Sequence, residues 1–146
     1  MSKLGPLIVV EDSQDDLFFL TRAMGKLGEG PELVTCRDGI DAIELLLRMK
    51  DKAEALPAVI VTDIKMPLKS GFDLLQWRRE HDWAREIPMV VLSSSDLTKD
   101  REQASALGAT AYYVKPKDVE HLMGTLREIV KTHCEGPLGT PDKPSI

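Results

Sequence analysis

Short apolar runs alternate with helical patterns along the chain, and this alternation constrains the fold more than any other feature of the sequence. Residues 7–10, 58–61 and 89–92 contain only apolar side chains, many of them β-branched. Runs of this kind are typical of parallel strands that are buried on both faces of a sheet. Residues 33–36 and 111–114 are more mixed and are predicted to form the edge strands.

Helical periodicity fills the segments between these runs. Apolar residues recur at about 100° per residue within 15–27, 40–47, 72–78, 99–107 and 118–134. The apolar arc of the first helix is predicted to comprise Leu17, Phe19, Leu20, Ala23, Met24 and Leu27. Residues 49–55 are predicted to extend the second helix. Five strands that alternate with five helices predict an α/β fold, a three-layer, doubly wound parallel sheet with helices on both faces.

Length and composition limit the class of protein. A chain of 146 residues fits one domain, predicted over 1–134, and the aperiodic remainder, 135–146, is predicted to be a flexible C-terminal tail. The net charge of −5, without a run of Lys or Arg, argues against nucleic acid as a partner. No apolar run is long enough to insert into a membrane, and no secretory signal is visible, so we expect a cytoplasmic protein.

Polar side chains follow four of the predicted strands at the point where each strand ends. Glu11 and Asp12 end the first strand, Asp63 the third, Ser93 the fourth and Lys115 the fifth. Because sites in parallel α/β sheets form at the carboxyl edge, these side chains are expected to converge. Each of them taken alone is explained as well by a helix cap or a turn; their joint placement favours a site.

This set of side chains predicts phosphoryl chemistry. Three carboxylates in one pocket repel one another unless a cation lies among them, and ligands that are all oxygen favour Mg²⁺ over Zn²⁺. Lys115 can neutralise a phosphoryl group, and Ser93 can donate a hydrogen bond to it. One carboxylate then remains as the nucleophile, so positioning and charge neutralisation are both available for phosphoryl transfer.

Several motifs at these strand ends form a specific combination. They are VED at 10–12, DIKMP at 63–67, Gly71, LSS at 92–94, GA at 108–109 and YYVKP at 112–116. Together they resemble the receiver domains of two-component response regulators, the CheY-like group, over about 7–134. The resemblance implies the flavodoxin-like strand order 2-1-3-4-5.

The resemblance also implies a phosphoacceptor and a metal site. Asp63 would accept a phosphoryl group from a sensor histidine kinase or a histidine phosphotransfer protein. Asp12 would bind Mg²⁺ directly and Glu11 through water, together with Asp63 and the main-chain carbonyl of Lys65. Glu11 stands where many members of the family have Asp, which keeps the charge.

A further set of residues is assigned to phosphoryl binding and switching by the same resemblance. Ser93, in place of the commoner Thr, would hydrogen-bond the phosphoryl group, and Lys115 would pair with it. Tyr112 would swing inward when Ser93 moves toward the phosphoryl group. The peptide bond between Lys115 and Pro116 is expected to be cis, and Lys65 and Ser95 are expected to tune the lifetime of the acyl phosphate.

The predicted partners are proteins. An exposed Phe18 beside Arg22 on the first helix is expected to dock the phosphodonor, and the signal is expected to reach a downstream protein or to pass on with the phosphate. The fourth helix, fifth strand and fifth helix would form the output face or a homodimer contact. The segments 48–57, 68–71 and 82–88 resemble those of stand-alone receivers that partner phytochrome-type kinases.

Three other interpretations remain. A haloacid-dehalogenase-type phosphatase would need an Asp two residues after its nucleophile, where this chain has Lys65. An interaction module without phosphorylation would be favoured by the loss of an acid, the hydroxyl or the lysine, all of which are present. A flavodoxin-like cofactor domain shares the architecture, but Glu11 and Asp12 would repel a flavin phosphate.

Overall fold

The computed structural model describes residues 5–28, 30–66 and 68–134, which form a parallel sheet of five strands flanked by helices. The strands are β1 Leu7–Val10, β2 Leu33–Cys36, β3 Val59–Thr62, β4 Met89–Ser93 and β5 Ala111–Val114. Their order in the sheet is β2-β1-β3-β4-β5, and every neighbouring pair is parallel. The predicted fold class and strand order are confirmed.

The helices differ from the predictions at two places. They are α1 Gln14–Lys26, α2 Gly39–Asp51, α3 Gly71–Arg79, α4 Asp82–Arg85, α5 Thr98–Ala106 and α6 Val119–His133. The one-turn helix α4 was not predicted, because four residues are too short to show a helical period. The prediction that 49–55 extends α2 holds only to Asp51, since Ala53 has a φ of 57° and leaves the helical conformation. The predicted fourth and fifth helices are therefore α5 and α6.

The central strands are buried on both faces, which explains why their residues are apolar except for Thr62 and Ser93 at the carboxyl ends of β3 and β4. Successive side chains of a strand point to opposite faces. Ile8 and Val10 pack into a core that also receives side chains from α2 and α3, whereas Leu7 and Val9 pack into a second core with α1 and α6. All four side chains are at most 1% exposed.

The buried stripe of α1 is narrower than predicted. Of the predicted apolar arc, Leu20, Ala23 and Met24 are buried, whereas Phe19 is 48% exposed. Phe19 instead lines the groove between α1 and α6, at the edge of the apolar arc. Helical spacing identifies which side of a helix is apolar, but it does not show how far the neighbouring helix extends over that side.

Two adjacent arginines of α3 donate hydrogen bonds to main-chain oxygens at the carboxyl end of α5. Arg78 is 8% exposed, and its guanidinium donates to the carbonyl oxygens of Ile87 at 2.7 Å and Gly108 at 3.2 Å. Arg79 donates to the carbonyl oxygen of Ala106 at 3.0 Å. The carbonyls of Ala106 and Gly108, at and just beyond the carboxyl end of α5, have no partner in the next helical turn, and the guanidinium groups satisfy them.

The predicted tail, 135–146, lies outside the described residues. No helix in the described part of the chain combines the length and the apolar character that crossing a membrane requires.

The two-sided core predicts unequal effects for two leucines on outer helices. Leu126 in α6 is fully buried, whereas Leu47 in α2 is 41% exposed. We expect Leu126→Ala to lower the free energy of unfolding by about 2–5 kcal/mol, because it leaves a cavity. Leu47→Ala is expected to change it by about 0.5 kcal/mol or less. Urea denaturation of both variants measures the difference, and equal losses would contradict the assignment of α6 to the core.

Candidate functional site

The ammonium group of Lys115 lies among three carboxylates at the carboxyl edge of the sheet. Its Nζ donates to Glu11 Oε1 at 2.7 Å, to Asp16 Oδ2 at 2.6 Å and to Asp63 Oδ2 at 2.9 Å. The end of β5 delivers this side chain, and the backbone N–H of Lys115 donates to the carbonyl of Ser93 at 2.8 Å. Three of the predicted site residues are thus brought together as expected.

Glu11 is held in place by the first turn after β1. Its backbone N–H donates to the carbonyl of Cys36 at 2.9 Å, and its Oε2 accepts the N–H of Ser13 at 3.1 Å. The residue is only 2% exposed. This burial raises the pKa of the Glu11 carboxyl above its ordinary value, and the hydrogen bonds from Lys115 and Ser13 only partly oppose the effect.

The two carboxylate oxygens of Asp63 have different partners: one accepts a backbone N–H, and the other faces the Lys115 ammonium. Oδ1 accepts the N–H of Ile64 at 2.6 Å, which leaves Oδ2 toward Lys115. Gly71 allows the chain to pass close behind it, since a Cβ there would lie 2.3 Å from the carbonyl oxygen of Asp63. The N–H of Gly71 donates to Ile64 at 2.8 Å and closes this turn.

The charge state of Lys115 follows from its neighbours. Burial alone would lower the pKa of the Lys115 ammonium, but hydrogen bonds to Asp16, Glu11 and Asp63 outweigh it and raise the pKa above its ordinary value. Lys115 therefore stays protonated at neutral pH and offsets the repulsion among the carboxylates. A permanently charged ammonium beside Asp63 is suited to pairing with a phosphoryl group.

Asp16 belongs to this site and was not predicted. It lies in the first turn of α1, where the hydroxyl of Ser13 caps the helix by accepting the N–H of Asp16 at 3.2 Å. One carboxylate oxygen of each of Asp16, Glu11 and Asp63 lies within 4.8 Å of the other two. Asp16 was not predicted because it lies in a helix and not at the end of a strand. The spacing from Ser13 to Asp16 is that of a helix cap, which places the first turn of α1 beside the end of β1.

Asp12 and Lys65 occupy the neighbouring cleft. Both are exposed, and they line an open cleft of about 550 Å³ together with Met66, Phe72 and Asp100. The donor set of this region is made of carboxylate and main-chain oxygens, which is the ligand chemistry that Mg²⁺ prefers. The predicted ligands Glu11, Asp12, Asp63 and the carbonyl of Lys65 therefore fit this ion.

The loop after β4 connects Ser93 with Tyr112. Ser93 is 1% exposed, and its Oγ accepts the N–H of Ser95 at 3.1 Å. The hydroxyl of Tyr112 donates to the carbonyl of Ser95 at 2.8 Å, and the guanidinium of Arg101 lies 4.8 Å from the centre of the tyrosine ring. The ring already packs against the core in this structure. The predicted inward swing of Tyr112 stays a prediction.

Two further expectations concern the ends of this region. All peptide bonds of the described residues are trans, so the expected cis bond between Lys115 and Pro116 is wrong. The trans form is the intrinsically favoured one, and in it Lys115 still reaches its carboxylates. On α1, Phe18 is 60% exposed and Arg22 is exposed as expected, and their docking role stays a prediction.

Comparisons with known proteins agree with this geometry. The family profile described as the response regulator receiver domain matches residues 7–127. Protein PilH of Pseudomonas aeruginosa is 26% identical over 124 residues, which cover 85% of this chain and 96% of PilH.

Solved structures show the same fold. The phosphorylated cyanobacterial phytochrome response regulator RcpA superposes with a TM-score of 0.79 at 26% identity, over 90% of this chain and 94% of RcpA. The bacteriophytochrome response regulator RtBRR has a TM-score of 0.73 at 32% identity, over 86% of this chain and 78% of RtBRR. The predicted likeness to phytochrome-associated receivers is confirmed. The chain therefore belongs to the response regulator receiver family of two-component signalling, and it has the CheY-like fold of that family.

Proposed function

We propose that this receiver accepts a phosphoryl group on Asp63 from a phosphohistidine, in a reaction that depends on Mg²⁺. The observation that carries the proposal is the Lys115 ammonium, which lies 2.9 Å from Asp63 Oδ2. The donor would be a sensor histidine kinase or a histidine phosphotransfer protein.

The contacts of Asp63 assign separate roles to its two carboxylate oxygens. Oδ1 accepts the N–H of Ile64, whereas Oδ2 faces the site and accepts the Lys115 ammonium, so we assign the attack to Oδ2. A bond forms between Oδ2 and phosphorus while the bond from phosphorus to the histidine nitrogen breaks, and the electron pair leaves with that nitrogen. A magnesium ion held by Glu11, Asp12, Asp63 and the carbonyl of Lys65 would supply positive charge for this step.

Protein groups then hold the transferred phosphoryl group. Lys115 pairs with its negative charge, and the Ser93 hydroxyl donates a hydrogen bond to it. Lys65 stands two residues after Asp63, where an aspartyl phosphatase would place its proton donor. An aspartyl phosphatase has an Asp at that position for acid and base catalysis, and this chain has a lysine instead. We therefore expect slow hydrolysis of the acyl phosphate and a signalling role.

The partners proposed for this protein follow from its surface and its relatives. Phe18 and Arg22 on α1 would contact the phosphodonor. The likeness to RcpA and RtBRR favours a phytochrome-type kinase as that donor. Output would pass to a downstream protein or onward with the phosphate, and α5, β5 and α6 would form the output face or a homodimer contact. The proposed setting is the cytoplasm, without nucleic acid as a partner.

Phosphorylation at Asp63 is tested by intact mass after incubation with acetyl phosphate. We expect wild type to gain the mass of one phosphoryl group with Mg²⁺ and not without it. Asp63→Asn should gain nothing, because it lacks the nucleophilic oxygen, whereas the control Asp51→Asn, at an exposed acid of α2, should behave as wild type. If folded wild type gains no mass from acetyl phosphate or from a phosphorylated histidine protein, the proposal is wrong.

The role of Asp16 in the acidic cluster is tested by titration calorimetry with Mg²⁺. Asp16→Asn removes one negative charge from the cluster. Lys115 is then expected to pair more tightly with Glu11 and Asp63 and to compete with Mg²⁺ for these two carboxylates. We expect a loss of about 1 kcal/mol, or about fivefold in affinity, after allowing for the partial exposure of Asp16. Asp15→Asn is the matched control, since Asp15 is an exposed acid of the same helical turn. Equal losses in both variants would show only a general effect of charge.

A further inference from the structure

A buried carboxylate outside the acidic cluster faces the same cleft. Asp100, in the first turn of α5, is 8% exposed and lines the cleft with Asp12 and Lys65. Its Oδ2 accepts the hydroxyl of Ser95 at 2.5 Å. The phosphoryl chemistry described above makes no use of Asp100, yet its partner Ser95 contacts two residues of the predicted switch.

Ser95 is held at each of its polar groups. Its N–H donates to Ser93 Oγ at 3.1 Å, and its carbonyl accepts the hydroxyl of Tyr112 at 2.8 Å. Its own hydroxyl donates to Asp100 and accepts the N–H of Leu97 at 3.3 Å. The conformation of Ser95 therefore sets where the Ser93 hydroxyl and the Tyr112 ring can lie.

The direction of these bonds matters for Ser93. Because the N–H of Ser95 occupies a lone pair of Ser93 Oγ, the hydrogen of the Ser93 hydroxyl remains available to donate. A donor is what a phosphoryl oxygen requires. Hydrogen bonds thus connect the buried Asp100 side chain through Ser95 to the Ser93 hydroxyl, whose hydrogen is free to bond a phosphoryl oxygen.

We propose that Asp100 is a positioning residue for the phosphorylation site. By fixing Ser95 it orients the Ser93 hydroxyl toward the phosphorylation site and keeps the Tyr112 hydroxyl on the carbonyl of Ser95. The part that concerns Ser93 rests on the proposed function. The part that concerns Tyr112 holds for the unphosphorylated protein and is testable without phosphoryl transfer.

A purely structural role for Asp100 has a different signature. A carboxylate in the first turn of a helix also interacts favourably with the helix dipole and with free N–H groups. That role would stabilise α5 without connecting Asp100 to Ser95 in particular. Variants of both residues, singly and together, separate the two roles, because changes that remove one shared hydrogen bond are not additive.

The first test observes Tyr112 by NMR. The chain has two tyrosines, so Tyr113→Phe leaves one labelled tyrosine ring signal. In this background, Asp100→Ala and Ser95→Ala should shift the Tyr112 signal in the same direction, and the double variant should shift it no further. Asp100→Asn should restore the wild-type position, because an amide oxygen still accepts the Ser95 hydroxyl. The control Glu102→Gln, at an exposed acid of α5, should cause no shift.

The second test measures the rate of phosphorylation by acetyl phosphate with Mg²⁺. Asp100→Ala and Ser95→Ala should each slow it about fivefold, the effect of one net hydrogen bond, and Asp100→Asn should restore it. An unmoved Tyr112 signal in folded Asp100→Ala would overturn the inference, and so would additive shifts in the double variant. If wild type is not phosphorylated at all, the proposed function fails, and the tyrosine signal still decides the role of Asp100.

Discussion

The Lys115 ammonium is the interaction that allows this site to exist. Glu11, Asp16 and Asp63 come from two strand ends and a helix, and their negative charges would repel one another at the separations observed. Lys115 donates a hydrogen bond to each of them from the end of a third strand. The acidic edge of the sheet is thereby kept compact before any metal ion or phosphoryl group arrives, and the same cation is available to both.

Much of this arrangement could be predicted from the sequence, because it depends on rules that act over a few residues. Uninterrupted apolar runs identify strands buried on both faces, and parallel strands place their carboxyl ends together. Glu11, Asp63 and Lys115 could therefore be assigned to one site before their distances were known. The strand order was implied by the resemblance to the receiver family, which rests on the combination of motifs at the strand ends.

The remaining features depend on contacts between elements that no local pattern records. Asp16 reaches Lys115 only because Ser13 starts α1 directly after β1, and Asp100 reaches Ser95 only through the turn that precedes α5. The exposure of Phe19 depends on how far α6 covers α1. The brief helix α4 is too short for its period to be seen. In each case the packing of neighbouring segments decides the result, and propensity alone does not.

The fastening of α5 has a mechanical consequence. Arg78 and Arg79 bind main-chain oxygens at its carboxyl end, and these bonds do not involve the phosphorylation site. The amino end is held by Ser95, whose bonds lead to that site. If the hydrogen bonds of Ser95 at the amino end are broken while those of Arg78 and Arg79 remain, α5 would pivot about its carboxyl end. Its amino end would then move farthest. Leu97, an apolar residue that is 52% exposed, lies at that end. A partner that distinguishes phosphorylated from unphosphorylated Asp63 would therefore be expected to contact the surface around Leu97.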